Sequence, residues 1–250
     1  MGIYYGNSLV SIERTVEKKK YGATAGSLLG DVDANGILQQ PSETTDLVFT
    51  GVKDIVTYGM YYKFYRNTGI RSVSFPDLTT VSTQNAMYYG FCEATSLESA
   101  SFAKLVTVSG SSGMARLFQT CTSLTTASMP LLATLSGSSC AQYLFYGCPL
   151  TTFTFTRLSD VSGSGCLRYA FNTCRNLTSL YFPALKTTSF GSNVNQFNSM
   201  FNSSTAADSG AFTVHFPSNM QSTISGLTGY PTFGATSTRI TLLYDLPASS

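Results

Sequence analysis

The sequence has no tryptophan, one histidine in 250 residues, and charge on only 11% of its side chains, against a usual quarter. General acid–base and metal chemistry need His, Asp, Glu and Lys brought together, so this supply argues against most enzyme classes, and no cofactor is expected. Fifteen basic and 13 acidic residues leave a net charge of +2. No basic cluster is large enough to grip a phosphate backbone, so nucleic acid is not an expected partner. No run approaches the ~18 apolar residues of a membrane span, so no membrane insertion is expected. The opening, MGIYYGNSLVSIERTVEKKKYG, lacks the order of a signal peptide: its apolar stretch is broken by Gly6, Asn7 and Ser8, and its charges come afterwards. What replaces charge is hydroxyl. There are 67 Ser and Thr residues beside 43% apolar and 13% aromatic residues, enough for a large core in one or two domains.

One phrase recurs through most of the chain. It reads IRSVSFP at 70–76, LESASFA at 97–103, LTTASMP at 124–130, LTTFTFT at 150–156, LTSLYFP at 177–183 and AFTVHFP at 211–217. Degenerate copies stand at 44–50 and 241–247, and successive starts are 26, 27, 27, 26, 27, 34 and 30 residues apart. A fixed period in the twenties is the signature of a solenoid whose coils bury their apolar faces against one another. Eight coils at strand spacing give a rod about 35–40 Å long.

Each coil divides into three parts. Alternation places Val73 and Phe75, Ala100 and Phe102, Phe153 and Phe155, and Leu180 and Phe182 inward on short strands. A second apolar pair follows (Leu105 and Val108, Leu132 and Leu135), then a Ser/Gly-rich turn such as SGSSG at 109–113. The third part has apolar residues at i, i+3, i+4 and i+7: Met114, Leu117, Phe118 and Cys121, then Ala141, Leu144, Phe145 and Cys148, then Leu167, Ala170, Phe171 and Cys174. This spacing predicts a short helix in every coil. The expected class is an α/β solenoid of 26–27-residue coils, strand plus helix, over residues 44–250.

The run Phe118-Gln-Thr-Cys121-Thr-Ser-Leu124-Thr-Thr-Ala-Ser-Met-Pro130, repeated as Phe171-Asn-Thr-Cys174-Arg-Asn-Leu177-Thr-Ser-Leu-Tyr-Phe-Pro183, resembles the BspA-like leucine-rich repeat. The resemblance spans about residues 44–247. It implies an extracellular or cell-surface protein, in the setting of bacterial and some protist proteins used in adhesion and partner binding.

Cys121, Cys148 and Cys174 share one coil position and Cys140 and Cys166 another, with Cys92 apart from both. There is no CxxC pair to suggest zinc, so the cysteines are expected as core thiols, and no metal site is expected from them. Between the inward strand residues lies a nearly uncharged row of hydroxyls, from Ser72 and Ser74 to Thr213, interrupted by Tyr181 and His215. Stacked hydroxyls either bind glycan or peptide backbone or simply keep a strand face wet. For His215 the nearest strand acid in register is Asp245, with no spacing motif that makes a triad, and the protein is not expected to be an enzyme. On the opposite side, Tyr89, Arg116, Tyr143 and Tyr169 occupy one position, two residues before the buried Phe. This stripe is the best candidate binding face, with Tyr58, Tyr61, Tyr62 and Tyr65 upstream; the alternative is tyrosine packed over the next coil with its hydroxyl in water.

Residues 1–43 lack the repeat. They are expected to form a β-rich cap, with a hairpin around Gly6-Asn7-Ser8. Asp31, Asp33 and Asn35 resemble half of a calcium loop, but the twelfth position is Ser42, so an Asn-Gly turn is the competing reading. Residues 198–210 lengthen one coil and are expected to form a loop. Two functions stand close: a binding or adhesion module that shows a rigid face to a protein or glycan at a bacterial surface, and a structural or receptor-binding component of a phage tail or other surface assembly docked through residues 1–43.

Overall fold

A computed structural model describes residues 4–5, 8–9, 11–15, 18–20, 45–55, 57–186, 188–190, 194–201, 211–234 and 240–248, with side chains from 46 onward. The Asp31–Asn35 phrase and residues 202–210 of the long coil lie outside the described residues. The strands, in chain order, are β1 (Tyr4–Tyr5), β2 (Ser8–Leu9), β3 (Ser11–Thr15), β4 (Lys18–Lys20), β5 (Thr45–Thr50), β6 (Ile70–Ser74), β7 (Thr80–Val81), β8 (Ser99–Ser101), β9 (Thr107–Val108), β10 (Thr126–Ser128), β11 (Thr134–Leu135), β12 (Thr152–Thr154), β13 (Ser179–Tyr181), β14 (Phe212–Pro217) and β15 (Ile240–Leu246). The eight strands β5, β6, β8, β10 and β12–β15 recur once per coil and bound seven turns of a parallel solenoid.

The main ladder runs β10-β8-β6-β5-β3-β4 and, separately, β12-β13-β14-β15. All pairings from β5 through β10 and from β12 through β15 are parallel, as a coil that returns to the same side requires. The ladder divides where Cys148-Pro149-Leu150 is one residue shorter than Cys121-Thr-Ser-Leu124 in the coil before. At the other end β3 pairs antiparallel with both β5 and β4, and β1 with β2. A second, narrow ladder joins β11, β9 and β7.

The predicted helices are absent from the coils. The one α-helix among the described residues is α1 (Gln221–Ser225). The third side of each coil is instead a chain of overlapping turns. In it, one N–H bonds three residues back and the next bonds across to the following coil. Tyr88, Gly90 and Cys92 donate to the carbonyls of Asn85, Met87 and Tyr89, while Met87, Tyr89 and Phe91 donate to Gly113, Ala115 and Leu117. Every fourth residue has a left-handed φ: Asn85, Tyr89 and Glu93 in one coil, Ser112, Arg116 and Thr120 in the next, then Ser139, Tyr143 and Gly147. A helix cannot hold such residues. About ten residues rich in Ser, Thr, Tyr, Phe, Cys and Gly make a marginal helix in any case, whereas the neighbouring coil offers a full row of acceptors. The apolar residues still point inward, because i, i+4 and the adjacent i+3, i+7 are two columns of a four-residue period.

This geometry gives a test by sign. Thr120 is β-branched at φ 58°, and Gly147 fills the equivalent place one coil on. Thr120→Gly is expected to stabilise the chain by about 0.5–1 kcal/mol, because left-handed backbone costs an L-residue roughly 1–2 kcal/mol, more than glycine's entropy takes back. In a helix the same change would destabilise, and urea unfolding distinguishes the two.

The core is built of ring stacks along the axis. One runs Phe64, Phe91, Phe118, Phe145 and Phe171, at centroid separations of 4.9, 5.9, 5.9 and 5.6 Å. Behind the strands another runs Phe49, Phe75 and Phe102, then resumes with Phe155, Phe182 and Phe216; Met129 fills the intervening coil. Every side chain named above as inward is buried.

Candidate functional site

The left-handed residues of the turn side turn outward as a row, and their side chains meet across the coils. The ring of Tyr62 stacks on Tyr89 at 4.5 Å and 14°. The Arg116 guanidinium carbon lies 5.3 Å from the Tyr89 centroid and 4.0 Å from that of Tyr143, which stacks on Tyr169 at 4.6 Å and 15°. The four predicted residues are thus brought together in one continuous ladder. Sequence reasoning placed Tyr62 upstream of the stripe rather than in it, and did not name Arg168. Tyr62 is its first rung, and stands 27 residues before Tyr89, the coil period itself. Arg168 covers the last rung: its guanidinium lies 4.9 Å from the Tyr169 centroid and donates to the Tyr169 hydroxyl at 3.2 Å.

All five rungs are half-buried. The ring faces of Tyr89, Tyr143 and Tyr169 are occupied by neighbouring rings or by a guanidinium, so this part of the stripe presents edges and polar tips. Arg116 also donates to Gln119 Oε1 at 2.7 Å, which fixes its plane between the rings. Burial pushes the Tyr89 hydroxyl up to about 12 and raises that of Tyr62, while Arg168 lowers that of Tyr169. At the N-terminal end the rings thicken into a cluster with Tyr58, Tyr61, Tyr65 and Tyr88. There Tyr58 (52% exposed) and Tyr61 (39%) show ring surface to solvent.

On the strand side the hydroxyl row is in register as the repeat dictates: Ser72 with Ser99, Ser99 with Thr126, Ser179 with Thr213, and Tyr181 with His215. Tyr181 and His215 stack at 4.2 Å and 14°. His215 Nδ1 lies 2.9 Å from Asp245 Oδ2, and Nε2 lies 2.9 Å from Thr213 Oγ1. Asp245 is the strand acid read as nearest in register with His215, although no spacing motif marks a hydroxyl–imidazole–carboxylate line; the β14–β15 register shifts just after His215. With both nitrogens engaged and one face covered, the imidazole fastens the last strand to β14.

All six cysteines are buried free thiols. Cys121, Cys148 and Cys174 each donate at 3.0 Å to a carbonyl of the preceding coil: Phe91, Phe118 and Phe145. Burial raises every thiol, to about 12 for Cys92, Cys140 and Cys174, from an ordinary 9.0. A thiolate is the reactive form. A disulfide-exchange reagent at neutral pH is therefore expected to find no fast thiol in the native chain and six after denaturation. Because the folded state favours the protonated form, this contribution is complete below pH 9 and declines as pH rises from about 9 towards 12.

The repeat pattern of a BspA type leucine rich repeat region matches six copies in this chain, over residues 46–166 and 114–209. The chain belongs to this family. Its BspA-type coils place the Phe and Cys of the repeat in the two buried columns of the turn side, and the stripe on its outer surface. No curated protein and no solved structure matches the chain. Among the described residues, no helix is long and apolar enough to cross a membrane.

Proposed function

We propose that this protein is a non-enzymatic binding module of a bacterial surface, holding a protein or glycan partner on the turn side of its solenoid. The ladder carries this reading: five side chains from five coils, four of them tyrosine and one arginine, form one rigid row. Tyr and Arg are the side chains on which interfaces concentrate their energy, and a row stacked in advance has little rotamer entropy left to lose on binding. BspA-type repeats are often adhesion-related surface modules, which agrees with it.

An array of immobilised glycans and matrix proteins tests the proposal. Tyr143→Ala and Arg116→Ala are expected to weaken capture of whatever the wild type binds by about thirtyfold, the effect of a 2 kcal/mol hot spot, with circular dichroism unchanged. Undiminished capture by both variants would remove the binding site from this face.

A further inference from the structure

The two sides of the solenoid differ in charge. Over 57–68, 83–95, 110–122, 137–149 and 163–176, the turn side carries Lys63, Arg66, Arg116, Arg168 and Arg175 against Glu93 alone. Over 45–55, 70–81, 98–108, 126–135, 152–162 and 179–189, the strand side carries five cations against five acids. Nearly all the excess positive charge of the coils therefore lies on the side of the tyrosine ladder. That side is also rich in donors, the phenol hydroxyls and guanidiniums of the ladder.

Resting on the reading that this face binds, we infer that its ligand is an acidic polysaccharide, carrying carboxylate or sulfate groups and lying along the ladder from coil to coil. The charge selects an anion, and the planar guanidinium fork suits carboxylate and sulfate oxygens. The repeat selects a polymer, because the donors recur at the coil spacing, with neighbouring rings 4.5 and 4.6 Å apart. A folded protein partner is less suited, since hot spots need desolvated pockets and this ridge shows ring edges and tips. Single-stranded nucleic acid needs open ring faces for its bases, and at Tyr89 and Tyr143 both faces are taken by the rings and guanidinium of neighbouring coils.

The test measures binding of the full chain to immobilised heparin, polygalacturonate, oligothymidylate and uncharged dextran at low and high salt. The chain is expected to bind at least one of the two acidic polysaccharides, to ignore dextran, and to lose affinity as salt rises. Arg116→Gln and Arg168→Gln are each expected to lower affinity about tenfold and flatten the salt dependence, while Arg157→Gln, exposed on the strand side, leaves both unchanged. Circular dichroism and melting temperature establish that each variant is folded. An equal loss in Arg157→Gln, equal binding of dextran, or tighter binding of oligothymidylate overturns the inference. Capture of a neutral glycan or a protein that Tyr143→Ala abolishes would overturn the acidic polysaccharide and leave the binding face standing. Polyanion binding that no ladder variant alters would overturn both.

Discussion

Phe118→Ala is expected to cost about 3–5 kcal/mol, the range for emptying a buried aromatic site. Phe118 is fully buried at mid-solenoid. Its ring lies 5.9 Å from Phe91 in the coil before and 5.9 Å from Phe145 in the coil after, stacked on both, with the edge of Phe102 at 6.1 Å. Backbone hydrogen bonds to the next coil hold the cavity walls apart, among them Phe118 N–H to the Leu144 carbonyl at 3.1 Å and Thr120 N–H to Tyr146 at 2.7 Å. The site therefore cannot collapse, which places the cost high in the range. Solenoid stability is a sum over coils and the interfaces between them, and this ring belongs to two interfaces. Urea unfolding is accordingly expected to show a lower midpoint and a shallower slope, as the two halves begin to unfold separately. A loss below about 1 kcal/mol would mean that the stacks fill space without coupling the coils.

Sequence showed the solenoid and its inward side chains plainly, because both follow from period. Strand alternation is read over three residues, and the coil length over the whole chain. It misled on the third side for a physical reason. Over eight residues, a helical face and two columns of period four place apolar residues at the same positions, as Met114, Leu117, Phe118 and Cys121 show. The backbone signal that separates them is the left-handed residue at every fourth place. Glycine marks it only at Gly147 and Gly165 and asparagine at Asn85; elsewhere Tyr, Arg, Thr, Ser and Glu sit there, types that do not announce the conformation. The ladder was legible in part, since Tyr89, Arg116, Tyr143 and Tyr169 share a coil position. The contacts that make it a stack depend on the tight approach of the coils, which no local pattern states. Asp245 was legible as the nearest strand acid in register with His215, whereas the contact of the imidazole with Thr213 Oγ1 was not.

That tight approach has a steric requirement, and Gly137→Ala is expected to violate it at a cost of about 3 kcal/mol or more. Gly110, Gly137 and Gly163 stand one above another in the Ser/Gly-rich turns, and none has a positive φ, so backbone freedom is not why glycine is there. Space is. A Cβ on Gly137 would lie 2.4 Å from the Gly110 carbonyl oxygen and 2.7 Å from that of Ser109. These are backbone atoms that cannot rotate away. Relief requires the coils to separate just where Gly137 N–H reaches the Val108 carbonyl and Ser136 N–H bonds to the same oxygen. The neighbouring bonds of Met114 to Cys140 and Ser112 to Ser138 would stretch with them. Gly147→Ala is the control. It takes a left-handed φ of 71° but meets nothing closer than Thr173 Oγ1 at 3.5 Å, so about 1–2 kcal/mol of backbone strain is all it should cost. Melting temperatures of the two variants decide the point. If Gly137→Ala is no worse than Gly147→Ala, the coils are not held by close backbone contact, and the stacked ladder loses the spacing that its binding role requires.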